Sequence, residues 1–196
     1  VPVPRGAVSE IALSRQRHTF ALSEFMTHTI SAAYDAGCAL TESYSENALK
    51  LTVGQQERFP DRAFKLRTPS GLLLSFLVEI DMGTHRLTSR AAFEHIERAL
   101  RFYDALRDQS PAAFRVLYVV GHDSTDRRDH ILEAAARAVR RPNRALCYAV
   151  KLPDYLAAAD AITRPVFLSH DRSRRALVPE SALTPHDHSS LIDKTV

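Results

Sequence analysis

Lysine is scarce in this 196-residue chain. It occurs only at Lys50, Lys65, Lys151 and Lys194, so arginine carries nearly all the positive charge. The planar arginine fork suits bidentate contacts to phosphate, although GC-rich coding enriches arginine equally well. The net charge of +3 is a mild lean toward polyanions and no more. Cysteine is scarcer still. Cys38 and Cys147 offer neither zinc-site spacing nor a disulfide framework, and two reduced thiols fit a cytoplasmic protein. No apolar run approaches the roughly 18 residues of a membrane span, and the short Pro-rich start, Val1 to Ala7, has no signal-peptide pattern. A Gly-rich phosphate loop, a nucleophile elbow and internal repeats are all missing. What is present is a 45% hydrophobic composition, enough for the core of one domain.

The pattern along the chain predicts three parts: residues 1–17 as a lead-in or linker, 18–178 as one α/β domain, and 179–196 as a polar tail. Leu22, Phe25, Met26, Ile30 and Ala33 recur at helical spacing, and Gly37 is a natural stop. "CALTESYSE" alternates as a strand, with "NALKLTVG" as its continuation, and "QQERFPD" reads as a polar turn. Strands at 61–67 and 73–81, joined by the turn "TPSG", form a hairpin. A long helix follows, with Phe93, Ile96, Leu100, Tyr103 and Leu106 on its inner face. "FRVLYVVG" is apolar throughout, as a central strand would be. A helix beginning near Ser124 or Thr125, the strand "ALCYAV", the helix "LPDYLAAADAI" and the strand "PVFLS" complete the order. The expected architecture is a mixed sheet flanked by helices.

One apolar strand contains acids. In "FLVEIDMGT", Glu79 and Asp81 are two apart and therefore share a strand face. Asp61 opens the paired strand, so the hairpin is expected to bring it to Asp81. Three converging carboxylates repel unless a cation lies among them, and such hard oxygen ligands suit Mg²⁺ or Mn²⁺. Gly83 lets the chain leave the strand sharply.

These motifs carry a resemblance. "PD" at 60–61 followed by an acidic element on the next strand looks like the PD-(D/E)XK nuclease superfamily. Together, "RHTFALSEFMTHTISAAYDAG", "ERFPDRAFKL", "FLVEIDMGTHRL" and "FRVLYVVGHDSTDRRDHILEAA" resemble the replication-relaxation family of plasmids and other mobile elements. The resemblance runs from about His18 to about Pro179. It implies a PD-(D/E)XK-like mixed sheet and a DNA-associated, nuclease-like protein. Asp61 then matches the metal-binding Asp and Glu79 the first acid of the (D/E)XK element. Asp81 stands where the catalytic Lys would be, as is family-like, and a carboxylate cannot orient water or stabilise transition-state charge as that Lys does.

The resemblance leaves two functions open. One is Mg²⁺- or Mn²⁺-dependent phosphodiester hydrolysis by Asp61, Glu79 and Asp81. The other is an inert nuclease-fold module that binds DNA or a protein partner in a nucleoprotein assembly. Arg86, Arg90 and Arg101, on or beside the long helix, are the expected phosphate contacts. Lys65 is about 13 Å along its strand from Asp61, too far to replace the missing Lys. Glu24 and Glu46 are candidate further acids, although Glu24 falls opposite the apolar stripe of its helix and reads better as a solvated residue. His18 and His95 read as packing or surface residues, and His186, Asp187 and His188 as solvated tail.

Overall fold

The segment 73–81 lies inside a sheet in the computed structural model, which describes residues 5–83, 90–121, 125–140 and 145–184. Among them the chain forms helix α1 (Arg5–Asp35), strand β1 (Ala39–Tyr44), the short strands β2 (Leu51–Val53) and β3 (Gln56–Arg58), then β4 (Arg62–Arg67) and β5 (Leu73–Asp81). Helix α2 (Arg90–Gln109), β6 (Phe114–Val120), α3 (Thr125–Ala138), β7 (Cys147–Lys151), α4 (Leu152–Leu156), β8 (Phe167–Ser169) and β9 (Arg174–Arg175) follow. Seven strands make one mixed sheet in the order β1-β4-β5-β6-β7-β8-β9, and β2 pairs with β3 apart from it. β1, β4 and β5 are antiparallel neighbours, β5, β6 and β7 are parallel, and the last two pairings are antiparallel again.

The hairpin forms as expected, and its turn shows why. Gly71 takes φ +84°, a conformation that costs glycine little, and its N–H donates to the Thr68 carbonyl at 2.8 Å. The Thr68 hydroxyl accepts the Leu72 N–H at 3.1 Å.

Strand alternation then sorts side chains into two cores. Leu74, Phe76, Val78 and Ile80 of β5, with Leu117 and Val119 of β6, face α1 and α4. Leu77 of β5, with Val116, Tyr118 and Val120 of β6, faces α2 and α3. Each large apolar side chain buried this way contributes about 1.5–3 kcal/mol. The expected inner face of α2 holds: Ile96, Leu100 and Tyr103 are buried, while Phe93 and Leu106 pack partly.

Four expectations change, the first being the helix read over "LPDYLAAADAI", which ends at Leu156. α1 starts at Arg5, so helix fills most of the stretch read as a lead-in. "QQERFPD" contains a strand, Gln56–Arg58, whose ladder runs from Leu51↔Arg58 to Val53↔Gln56. At the other end the described chain stays packed past 179, where a 3-10 turn (Glu180–Ala182) buries Ala182. His186, Asp187 and His188 lie outside the described residues. No helix among the described residues is long and apolar enough to cross a membrane.

Candidate functional site

β5 is buried on both faces, so the odd-numbered positions that carry Glu79 and Asp81 point toward α2 and α3. The hairpin register pairs Arg62 with Val78. One step further along, Asp61 therefore stands opposite Glu79 rather than Asp81, a correction to the expected pairing. A two-residue offset of this kind keeps the strand face but changes which side chains meet across a ladder.

Asp61 sits just after the buried Pro60 and ties off the ladder with its side chain. Its Oδ2 accepts the Ile80 N–H at 2.7 Å, the bond that a main-chain carbonyl would take if the pairing continued. The same oxygen lies 3.1 Å from His18 Nε2. This bond raises the His18 pKa above its ordinary value, against the opposing effect of burial, and the charges of Asp61, Glu46 and Glu79 add to the rise. His18 is therefore a partner of the acidic centre rather than a packing residue. Glu46 contributes through its charge.

Glu79 is 14% exposed, and its Oε1 accepts the Arg58 Nε–H at 3.0 Å. The same oxygen accepts a hydrogen bond from the Tyr103 hydroxyl. Arg58 Nε–H is shared with the Tyr103 oxygen at 3.2 Å, and the guanidinium stands 5.3 Å from that ring's centre, in reach of a cation–π attraction. Burial pushes the Glu79 carboxyl up, and Arg58 pulls it back down. Burial and the Glu79 charge together raise the phenols of Tyr103 and Tyr118. The Tyr118 hydroxyl is buried with no hydrogen-bond partner among the described residues.

Asp81 turns to α3. Arg127 grips it in a bidentate pair, Nε to Oδ2 at 2.9 Å and Nη2 to Oδ1 at 2.8 Å. Oδ1 also accepts the Gly83 N–H at 2.8 Å. Both side chains are nearly buried, at 11% and 12% exposed.

The three acids thus do not converge on one point. No group of three or more His, Cys, Asp or Glu side chains among the described residues is arranged to hold a metal ion. The donor chemistry is graded: Asp81 has both oxygens occupied, whereas no hydrogen bond among the described residues engages Asp61 Oδ1 or Glu79 Oε2. The Asp61 and Glu79 carboxylates stand at opposed positions of the hairpin, and hard oxygens of this kind suit Mg²⁺ or Mn²⁺; Asp81, gripped by Arg127, does not fit as a third ligand.

The arginines expected to contact phosphate divide differently. Arg86 lies outside the described residues, and Arg90 opens α2. Arg101 is 65% exposed and pairs with Glu97 at 3.1 Å. Because it stands two residues from Tyr103, it projects from the opposite side of α2 and away from the acids. Lys65 is committed to Glu42 at 2.9 Å, consistent with its distance from Asp61. His95 is exposed.

The decisive cations, Arg58 and Arg127, were not evident from the sequence. Arg58 lies in the stretch read as a turn; the alternation of Leu51 and Val53 ahead of it was the available signal. Beside these pairs, a cleft of about 810 Å³ opens between α1 and the carboxyl ends of β5, β6 and β7, lined by Leu13, Arg17, Phe20, Glu24, Met82 and Leu152 among others. Clefts at the carboxyl ends of parallel strands are the usual ligand positions of α/β sheets. No family model, curated protein or solved structure matches the chain.

Proposed function

We propose that this chain is a DNA-associated protein of nuclease-like fold that binds rather than cuts, its acidic centre being inert. The order of helix, three antiparallel strands, helix and parallel strand supports the PD-(D/E)XK-like reading, as does an Asp at the head of one strand facing an acid on the next. One observation carries the inert reading: Arg58 and Arg127 neutralise Glu79 and Asp81 from within. Charges matched internally have no need of a cation. Arginines outside these pairs, the exposed Arg101 among them, are then the DNA contact, in a plasmid or mobile-element setting.

Gel-shift binding to duplex and single-stranded DNA, with Mn²⁺ or with EDTA, tests the proposal. Binding that survives EDTA, with no cleavage of supercoiled, linear or single-stranded DNA, is expected. Replacing Arg86, Arg90 and Arg101 together by Ala should weaken binding and flatten its salt dependence, since each lost phosphate contact releases fewer counterions. An unchanged salt slope would move the partner to protein.

Asp61 Oδ1 and Glu79 Oε2, which no hydrogen bond among the described residues engages, favour a second reading, metal-dependent hydrolysis. Asp61 and Glu79 would hold the ion, whose chemistry is activation of water against a phosphodiester. His18, hydrogen-bonded to Asp61, would hold a proton at Nε2. Cleavage by the wild type that Asp61→Asn abolishes would establish this reading and overturn the first.

A further inference from the structure

α1 covers the sheet with Ala21, Phe25, Met26, Thr29, Ala32 and Ala33, all buried. Its opposite side breaks the usual rule for a solvent face. From Thr19 to Tyr34 the exposed residues are Thr19, Phe20, Ser23, Thr27, Ile30, Ser31 and Tyr34, and none carries a charge in a chain that is 25% charged. Phe20, which also borders the cleft beside α1, is 65% exposed and Tyr34 83%.

The spacing has its own symmetry. Taking Thr27 as centre, Ser23 and Ser31 lie four residues to either side, and Phe20 and Tyr34 seven to either side. These offsets are those of a single helical stripe. Its profile is large, small, small, small, large, the same read in either direction.

We propose that this face of α1 binds a second copy of the chain, with the two helices antiparallel and the two-fold axis at Thr27. Phe20 then meets the partner's Tyr34 twice over, and the small residues between them let the helices approach closely. Ile30 fills the space above the partner's Ser23. A parallel pair would match the same sizes, since the profile reads alike both ways, but it would align the helix dipoles unfavourably. Aromatic side chains bury roughly 150–250 Å² each. The stripe therefore supplies about 500–600 Å² per protomer, near the lower limit for a specific interface. The expected affinity is accordingly on the order of micromolar. The inference does not depend on the DNA reading.

Sedimentation equilibrium of the whole chain should show a reversible dimer, and Thr27→Glu should leave a monomer whose circular dichroism and melting in dilute solution match wild type. Orientation is read by oxidation. Cys38 and Cys147 are buried, so introduced thiols dominate cross-linking. Thr27→Cys should link to itself, whereas Phe20→Cys should link only when mixed with Tyr34→Cys, because each position is about 10 Å from the axis. Self-linking of Phe20→Cys would overturn the antiparallel arrangement. A monomer at every concentration would overturn the proposal, and in that case protection of the Phe20 ring from solvent quenchers would assign the face to another segment of the same chain.

Discussion

At the end of β5, charge lies where apolar side chains are expected; along the outer face of α1, apolar side chains lie where charge is expected. The two regions invert the same rule with different outcomes. Each interior carboxylate has a matching donor: Arg58 and Tyr103 for Glu79, Arg127 for Asp81, His18 and the Ile80 amide for Asp61. The exposed Phe20, Ile30 and Tyr34 have no such match within the sheet they cover. Buried charge left unmatched destabilises the fold directly, so it is completed within the chain. Exposed apolar surface costs the fold little, so its completion is left to association.

The largest effect should come from breaking the match at Glu79, the carboxyl that burial pushes up. Arg58→Ala leaves the Glu79 carboxylate buried beside Tyr103 and should cost about 3–5 kcal/mol in urea unfolding. The double variant Arg58→Met with Glu79→Leu should recover most of that, because it removes both charges. A single-variant cost below about 1 kcal/mol would show the pair to be solvated, as surface pairs are, and would erase the contrast between the two regions.

Arg127→Ala should cost less, about 2–3 kcal/mol, since Asp81 keeps the Gly83 N–H. A cost equal to that of Arg58→Ala would mean that the Gly83 N–H does not offset the lost pair.

The rim pair responds to pH. His18 binds its proton more tightly folded than unfolded, so its contribution is complete below its ordinary value of 6.5 and is lost as pH rises through the raised folded value. Urea midpoints of wild type and His18→Gln should therefore separate in favour of wild type as pH falls through that window and run parallel below it. Midpoints that stay parallel throughout would remove His18 from the acidic centre.

The smallest effect belongs to the outer face. In dilute solution Phe20→Ser and Tyr34→Ser should each change unfolding free energy by no more than about 0.5 kcal/mol. A larger loss would place these rings within the monomer's own packing.

The elements of the sheet were legible because they obey period and composition. The hairpin, the apolar run of β6 and the α2 stripe each follow from neighbours a few residues apart. The partners of the acids were not legible in the same way. Arg127 reaches Asp81 across 46 positions, through the parallel pairing of β5 with β6 and the packing of α3 on that sheet. Arg58 reaches Glu79 from a three-residue strand set apart from the main sheet. Tyr103 was legible as a core residue, but nothing in helical spacing reveals that its hydroxyl ends on a carboxylate. Residue type predicted that acids would meet; register decided which ones, and it set Asp61 against Glu79.

The Asp61 carboxylate that ends the β4–β5 ladder also gives the centre an internal reporter. Ile80 N–H donates to that carboxylate rather than to a peptide carbonyl, so its proton resonance should lie downfield of its strand neighbours, as charge-assisted bonds are shorter and stronger. Any event that draws charge from Asp61, whether proton, divalent ion or a nearby phosphate, must move this one signal, even if no bond is ever cut. A single backbone amide in the core of the sheet thus registers what reaches the rim.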